Sequence, residues 1–360
     1  MENLRDKLKD NSLGNLILSL LSLVYGFIIS TRHQLYKSGF FKKMKLPVKV
    51  ICFGNISTGG TGKTSTVILA ATELKKTGFN VAIIMRGYKR KNKSRKVVVL
   101  HKDRNFSPDE AGDEALMLYD IMKDLNIPII VSSDRYKAGQ TAIKEFNTNI
   151  ILMDDGYQHF RLKRDKNFLL INAATDFQNE QLLPMGNLRE NKDGLKRADL
   201  IILTHCERES EEKLKETKAS IYKINPKAEI IESMHIPQFF IDAATLKKIP
   251  LDSIKGEVVA VSGIGDPLSF EKSLKSLGLK IRQAWRFPDH HRFTETEFKT
   301  IERHRKDASL IITYKDFSRF PKNWRKLVGK SIYILFIEVV FLCNGYKVFL
   351  DQVIEKGEGV

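Results

Sequence analysis

The feature that most constrains the fold is a glycine-rich turn between an apolar run and a helical pattern. Val48–Phe53 is mostly apolar, and Thr64–Thr77 has the spacing of a helix. Glycines in such a turn let backbone N–H groups close on phosphate oxygens, and the helix N-terminus adds partial positive charge. We therefore predict a nucleoside triphosphate site formed by Ser57, Thr58, Gly59, Gly60, Thr61, Gly62, Lys63 and Thr64.

The turn departs from the strict phosphate-loop pattern at one position. The first glycine of G-x-x-x-x-G-K-[ST] is replaced by Ser57, while Gly-Gly-x-Gly-Lys-Thr is intact. Lys63 is of a length to reach the β- and γ-phosphates, and the Thr64 hydroxyl can ligate Mg²⁺. The expected cofactors are ATP and Mg²⁺, and the alternative is a glycine turn that merely starts a helix.

A second apolar run, Ile150–Asp154, ends in the carboxylate pair Asp154 and Asp155. A phosphate-loop enzyme needs an acid beside its Mg²⁺. Both runs would end at the carboxyl edge of a parallel sheet, where open α/β folds bind ligands. We expect this pair to hold the metal, and the residues alone leave open which of the two does so.

Apolar runs alternate with helical patterns along most of the chain, which predicts an α/β fold with a mainly parallel, phosphate-loop NTPase-like sheet. The expected bounds are an N-terminal helix with its basic flank (1–45), a larger nucleotide-binding domain (46–225), an extended linker (226–245) and a second, smaller α/β domain (246–360). Further strands are expected at Val81–Met85, Ile129–Val131, Phe168–Asn172, Leu200–Thr204, Val258–Ser262, Ile281–Phe287, Leu310–Thr313 and Ile332–Val340.

The N-terminal segment Leu13–Ile29 is the most apolar part of the chain. Small or polar residues form one helical stripe along it, at Asn15, Ser19, Ser22, Gly26 and Ser30. Basic and aromatic residues follow, as suits a headgroup layer. The bulky, basic sequence after Ser30 is unlike a signal-peptide cleavage site. We favour a helix lying in the membrane interface; a spanning helix and a core helix are the alternatives.

The net charge of +17 favours an anionic partner. Zinc-finger spacing and an aromatic RNP-type strand are both absent from the sequence, so we expect no nucleic acid and favour an anionic membrane surface. Three widely spaced cysteines are typical of a reducing compartment.

Eight short blocks, taken together, resemble the tetraacyldisaccharide 4'-kinase (lipid A 4'-kinase) family. Met185, Asn187 and Tyr314 depart from that family's pattern. The blocks run in the family's order, and they are Gly54–Thr64, Arg86-Gly87-Tyr88, Gly112-Asp113-Glu114, Asp154–His159, Leu183–Glu190, Ser262–Pro267, Asp289-His290-His291 and Thr313–Asp316.

The resemblance implies transfer of the ATP γ-phosphoryl group to the 4'-hydroxyl of an acylated glucosamine disaccharide 1-phosphate. It also implies a place at the cytoplasmic face of the inner membrane of a Gram-negative bacterium. That surface agrees with the apolar N-terminal segment and the basic charge.

The resemblance also assigns roles to individual residues. Asp113 is expected to be the catalytic base, although by its position alone it reads as a helix cap. His290 of the second domain is expected to assist it, with His291 as the neighbour it is most easily confused with. Lys63 completes the catalytic set, and Glu190 is expected near the metal. A base shared between two domains implies a cleft that closes on substrate.

Five further residues are expected to contact the disaccharide and its phosphates, and an arginine's planar fork suits phosphate; ordinary surface solvation is the alternative for each. They are Arg86, Tyr88, Arg135, Gln158 and Arg189.

Three other classes of protein are weighed against this one. A partition-type ATPase would carry a lysine at Thr58, and a GTPase would carry an Asn-Lys-x-Asp reader where Leu203–Cys206 stands. A membrane-bound nucleotide switch is separated from a kinase by turnover, because a switch transfers phosphate to no sugar.

Overall fold

The computed structural model describes residues 2–88, 90, 96–102, 106–321, 323–329 and 331–354. Its strands form one continuous sheet in two halves that meet at β8. The strands are β1 (Lys49–Gly54), β2 (Val81–Met85), β3 (Val98–Leu100), β4 (Ile129–Val131), β5 (Ile150–Asp154), β6 (Lys166–Asn172), β7 (Leu200–Thr204), β8 (Glu229–Asp242), β9 (Lys248–Ile249), β10 (Glu257–Ser262), β11 (Lys280–Arg286), β12 (Ser309–Thr313) and β13 (Ile332–Phe341).

Helices cover the sheet, and the predicted helix after the glycine turn begins at Lys63. The helix that begins at Asp113 ends at Met122 and continues as one 3₁₀ turn over Lys123–Leu125. The helices are α1 (Glu2–Lys9), α2 (Ser12–Lys37), α3 (Lys63–Lys76), α4 (Pro108–Ala111), α5 (Asp113–Met122), α6 (Arg135–Phe146), α7 (Glu211–Ile224), α8 (Pro267–Ser276), α9 (Glu295–Arg305), α10 (Tyr314–Phe317), α11 (Trp324–Leu327) and α12 (Gly345–Ile354).

The first half of the sheet runs in the order β8-β7-β6-β1-β5-β2-β4-β3, and every pair is parallel except the last. Strand β1 lies between β5 and β6, so the turn after Gly54 and the acids after Met153 leave the sheet side by side. Both faces of these strands are buried, which confirms the fold class expected from continuous apolar runs.

The predicted linker at 226–245 is wrong in one respect. The segment is extended, as expected, but 14 of its residues form β8, which belongs to both halves of the sheet. Leu200–Leu203 pair with it in parallel, and Tyr333–Phe341 pair with it in antiparallel register. Because the ladders on both sides satisfy its backbone, β8 is a shared structural strand and not a solvated connector.

The second half of the sheet has the order β11-β10-β12-β13, and all three of these pairs are parallel. The chain then departs from the predicted bound at 360. Helix α12 returns to the first domain, where the Phe349 ring lies 6.5 Å from Phe53 and 5.9 Å from Phe168. Phe349 is fully buried there, so the last helix belongs to the nucleotide-binding half.

Helix α2 has the reverse of the usual amphipathic arrangement. Its small and polar stripe faces the first domain: the Ser22 hydroxyl donates to the Leu182 carbonyl (3.0 Å), and the Tyr25 hydroxyl donates to the Arg189 carbonyl (2.8 Å). Its large apolar side chains face outward, with Leu23 70% and Phe27 74% exposed. By length and composition α2 could cross a membrane.

Candidate active site

The glycine turn has the backbone conformation that the pattern predicts. Gly62 caps α3 at φ 72°, and Gly59 has φ 105°, both in the left-handed region. A Cβ at Gly62 would lie 2.5 Å from Nε2 of His235, which approaches from β8. Glycine is therefore required at position 62 twice, once by its backbone angle and once by this histidine. Thr64 follows in the first turn of α3, half-buried.

The turn is held from the side by the segment around Asn187. The Thr58 N–H donates to the Asn187 carbonyl (2.7 Å), and the Arg189 N–H donates to the Ile56 carbonyl (2.7 Å). Within the turn, the Asn55 amide donates to the Thr61 hydroxyl (3.1 Å). The Leu183–Glu190 block thus builds one wall of the phosphate site.

A charge chain crosses the site from Lys63 to Arg189. The Lys63 ammonium lies 3.6 Å from Asp155, and both oxygens of Asp155 accept from the Arg189 guanidinium (2.9 and 3.1 Å). Burial lowers the pKa of Lys63, whereas Lys63 and Arg189 hold the pKa of Asp155 below its usual range. Asp155 also stands at φ 50°, which turns its carboxylate away from the strand.

Asp154 has the opposite surroundings to its neighbour. It is buried, and its Oδ1 has no hydrogen-bond partner among the described residues. Burial, with help from the nearby Glu114 and Asp155 charges, raises the pKa of Asp154 to about 7. A buried carboxylate oxygen without a donor is the kind of group that a bound cation would satisfy.

Glu190 and Gln158 are engaged with each other. The Gln158 amide donates to Glu190 Oε1 (2.8 Å) and to the Asn55 carbonyl (2.7 Å). The other Glu190 oxygen accepts from Arg197 (2.7 Å). In this structure both residues brace the base of the phosphate turn, which differs from the metal and substrate contacts predicted for them.

The remaining predicted substrate contacts fall into two groups. Arg86 and Tyr88 are exposed beyond the end of β2, and the Tyr88 ring lies 5.7 Å from His290. Arg135 is only 3% exposed and donates to the Ser132 carbonyl (3.1 Å). In this structure Arg135 supports the loop after β4, and its predicted contact with the substrate stays a prediction.

Asp113 begins α5, on the first-domain side of a cleft between the two halves of the chain. Its Oδ2 lies 3.5 Å from Nε of Arg319, which comes from the second domain. Its Oδ1 is buried and has no hydrogen-bond partner within the described part of the chain. Two more cross-cleft ion pairs flank it, Lys315–Glu114 (3.6 Å) and Arg292–Asp109 (2.7 Å).

The two neighbouring histidines are distinguished by their partners. His290 Nδ1 accepts from Arg319 Nη2 (3.2 Å), so His290 belongs to the same cluster as Asp113. His291 points elsewhere, with Nε2 3.0 Å from both oxygens of Glu297 and its ring stacked on Phe287.

Sequence reasoning missed two groups at this site. Arg319 lies three positions after Asp316, where the last of the eight family-like blocks ends, so none of these blocks contains it. The other group is the stacked pair His205 and His235, 3.9 Å apart, beside Gly62. Burial lowers the pKa of His235 to about 3, which keeps the ring neutral. The sequence indicates this pair only through a histidine, His235, within the segment that was predicted to be a linker.

A phosphate turn, a buried acid beside it and a second carboxylate that faces the cleft define a phosphoryl-transfer enzyme of the P-loop class. Comparison with known proteins narrows the class. A family model for tetraacyldisaccharide-1-P 4'-kinase, LpxK, matches residues 14–355, and the chain belongs to this family.

Relatives bear out the assignment. The tetraacyldisaccharide 4'-kinase of Elusimicrobium minutum is 42% identical over 94% of this chain and 91% of its own length. That of Halothermothrix orenii is 36% identical over 94% and 92%. A crystal structure of LpxK from Aquifex aeolicus in complex with ATP matches with a TM-score of 0.74 and 30% identity, over 94% of this chain and 99% of the other. The chain is thus an ATP-dependent 4'-kinase of lipid A biosynthesis.

Proposed function

We propose that Mg·ATP binds on the first-domain side of the cleft and that Asp113, which begins α5 on the same side, takes the proton of the lipid's 4'-hydroxyl. The observation that carries this is the unpartnered, buried Oδ1 of Asp113 in the first turn of α5. The charge of the adjoining Glu114 raises the pKa of Asp154, so this turn lies near the metal-side acid.

The donor set on the first-domain side fits Mg²⁺. Asp154 offers a buried oxygen without a donor, and Thr64 offers a hydroxyl in the first turn after Lys63. Asp155 is paired with Lys63 and Arg189, and Glu190 is paired with Gln158 and Arg197. Mg²⁺, when bound, neutralises charge on the transferring phosphate.

The chain's own groups do the rest. Backbone N–H groups of the turn and the Lys63 ammonium orient the triphosphate. Asp113 Oδ1 accepts the hydroxyl proton as the sugar oxygen bonds to the γ-phosphorus and the bond to the ADP oxygen breaks. Arg86 and Tyr88 are exposed beside this point, so we assign them to the disaccharide and its phosphate.

The lipid substrate of the family and the outward apolar face of helix α2 support a reaction at the cytoplasmic face of the inner membrane. An open groove of about 920 Å³ runs along α2 and the 180–193 segment, with Ser22, Phe27 and Leu182 in its walls. Leu188 also lines the groove and adjoins Arg189 of the charge chain. The groove therefore supports entry of an acyl chain from the bilayer toward the phosphate site.

A direct assay tests the kinase reaction. Purified protein, γ-labelled ATP and tetraacyldisaccharide 1-phosphate in detergent micelles should give labelled bis-phosphate with Mg²⁺ and none with EDTA. ATP binding without any labelled lipid would contradict the reaction, and undiminished product in EDTA would contradict the metal.

Vesicle sedimentation tests the membrane face. Replacing the outward Leu20, Val24 and Phe27 by serine should weaken binding to anionic vesicles at least tenfold, because about 2 kcal/mol is lost for each large side chain kept out of the lipid. Leu268→Ser, which changes an exposed leucine of the second domain, is the matched control. Equal sedimentation of both variants would exclude α2 as the anchor.

A further inference from the structure

Arg319 is the most buried cation of the cleft, and no block of the sequence pattern contains it. Its side chain is 1% exposed, against 41% for each of the other two cross-cleft cations, Lys315 and Arg292. A buried guanidinium is costly unless all of its directions are used. Its partners therefore indicate its purpose.

One edge of the guanidinium is fixed by the second domain. Nη1 donates to the Gly263 carbonyl (2.9 Å) and lies 3.5 Å from Asp316 Oδ1. Asp316 is itself held, because its Oδ1 accepts from the Gly263 N–H (3.0 Å) and its Oδ2 accepts from the Thr313 hydroxyl (2.6 Å). With Nη1 fixed, the direction of the other two nitrogens is set.

The other two nitrogens lie beside the predicted base and its helper: Nη2 makes a hydrogen bond, and Nε makes an ion pair without hydrogen-bond geometry. Nε lies 3.5 Å from Asp113 Oδ2, and Nη2 lies 3.2 Å from His290 Nδ1. His290 is held in this pose at φ 64°, with its own N–H donating to the Gly263 carbonyl (3.1 Å). One planar cation thus touches both members of the pair that the reaction requires.

The contact determines where the protons are. A guanidinium N–H can only donate, so His290 Nδ1 must accept, and the single ring proton of the neutral imidazole is on Nε2. On the other side, the guanidinium lies against Oδ2 of Asp113, and Oδ1 is left without a donor among the described residues. The oxygen that faces no partner is then the one available to the sugar hydroxyl.

We propose that Arg319 is a positioning residue that fixes the Nε2–H tautomer of His290 and orients Asp113 so that Oδ1 receives the proton. The proposal rests on the function assigned above to Asp113. Arg319 touches neither phosphate nor sugar, and its effect passes through the two residues that it holds.

A simpler role is that of a clamp between the domains. Lys315–Glu114 and Arg292–Asp109 join the same two walls of the cleft, and neither pair includes Asp113 or His290. They supply matched controls, because Lys315→Met and Arg292→Met each remove one cross-cleft ion pair. A clamp predicts similar losses from all three cations.

The test compares kcat and the KM for ATP across these variants. Arg319→Met should lower kcat about 10²-fold, the scale of a misplaced catalytic group, with the KM for ATP within about threefold. Arg319→Lys should fall between Met and wild type, since one ammonium cannot reproduce the planar contacts. Guanidinium ion added to Arg319→Ala should restore part of kcat, and it should not restore Lys315→Met.

A double variant separates this proposal from the assignment beneath it. In an Asp113→Asn background, Arg319→Met should cost under about threefold more, since residues that act as one unit are not additive. Normal kcat in Asp113→Asn alone would overturn the base. If Asp113→Asn does lose most of its kcat, two results would overturn only the role of Arg319. One is a loss of kcat in Arg319→Met no larger than in Lys315→Met. The other is additive losses in the double variant. Arg319→Lys and the guanidinium rescue decide the matter if Arg319→Met does not fold.

Discussion

The two walls of the cleft are built in different ways. On the first-domain wall, the functional groups stand at the ends of secondary-structure elements: Lys63 begins α3, Asp154 ends β5 and Asp113 begins α5. On the second-domain wall, His290 stands in a loop at φ 64°, and Arg319 follows the end of α10. The first wall is positioned by the sheet, and the second by a small set of hydrogen bonds to Gly263.

The difference separates binding from proton transfer. Element ends converge wherever parallel strands end, so a nucleotide site is a direct product of the topology. The second wall adds only the contacts that act on Asp113. Damage to the first wall should therefore abolish nucleotide chemistry, whereas damage to the second should slow transfer and leave ATP binding intact.

The largest effect is expected at Lys63. Lys63→Ala removes the only ammonium expected on the β- and γ-phosphates and leaves Asp155 facing the triphosphate, so kcat should fall about 10³-fold or more. Lys76→Ala, at the exposed far end of the same helix, is the control. Phosphate transfer to the lipid is measured, and transfer within tenfold of wild type would remove Lys63 from the catalytic set.

Asp113→Asn is expected to lower kcat about 10²-fold, as for a lost general base, with little change in the KM for ATP. Asp109→Asn is a matched change nearby, at an exposed ion pair with Arg292. Equal rates for both variants would show that the first turn of α5 serves only to join the domains.

Gly62→Ala tests the narrowest point of the first wall. Its Cβ would stand in the left-handed region and 2.5 Å from His235 Nε2, so ATP affinity should fall about tenfold or more. Gly78→Ala has a similar backbone angle, φ 87°, and open space around its Cβ. Adding His235→Ala should recover part of the affinity; if nothing is recovered, the histidine is not the obstacle.

The smallest effect is a pH dependence of stability. The folded pKa of His235 is about 3, below its ordinary value of 6.5, so below pH 6.5 the unfolded chain takes a proton that the folded chain refuses. The lowered pKa therefore adds its full contribution to the free energy of unfolding above pH 6.5. This contribution decreases as the pH falls, by about 2 kcal/mol between pH 7 and pH 5. Denaturant unfolding of His235→Gln should show a flatter profile than wild type and than the exposed His304→Gln.

The sequence predicted the first wall well for a physical reason. A phosphate turn and a strand that ends in acids act through backbone geometry, and glycine spacing and apolar runs in the sequence predict that geometry. The predicted bounds of β2, β4, β5 and β7 were all confirmed.

What the sequence did not reveal depends on contacts between distant segments. The role of Arg319 depends on its contacts with Gly263, which lies 56 positions earlier in the chain, and with Asp113 of the first domain. Arg135 and Gln158 were expected at the substrate and Glu190 at the metal; the burial of Arg135 and Glu190 and the Gln158–Glu190 hydrogen bond appear only in three dimensions. The sequence also does not show that β8 belongs to both halves of the sheet, because its partners on the two sides, β7 and β13, are distant from each other along the chain.

The return of α12 has a consequence for synthesis. Residues 345–354 leave the ribosome after the whole second domain, yet Phe349 and Val353 are part of the core around Phe53. Domains made early usually fold before later ones emerge. Here the apolar core of the nucleotide-binding half is not completely covered until α12 has been synthesised. Chaperones can bind the exposed apolar surface during that time.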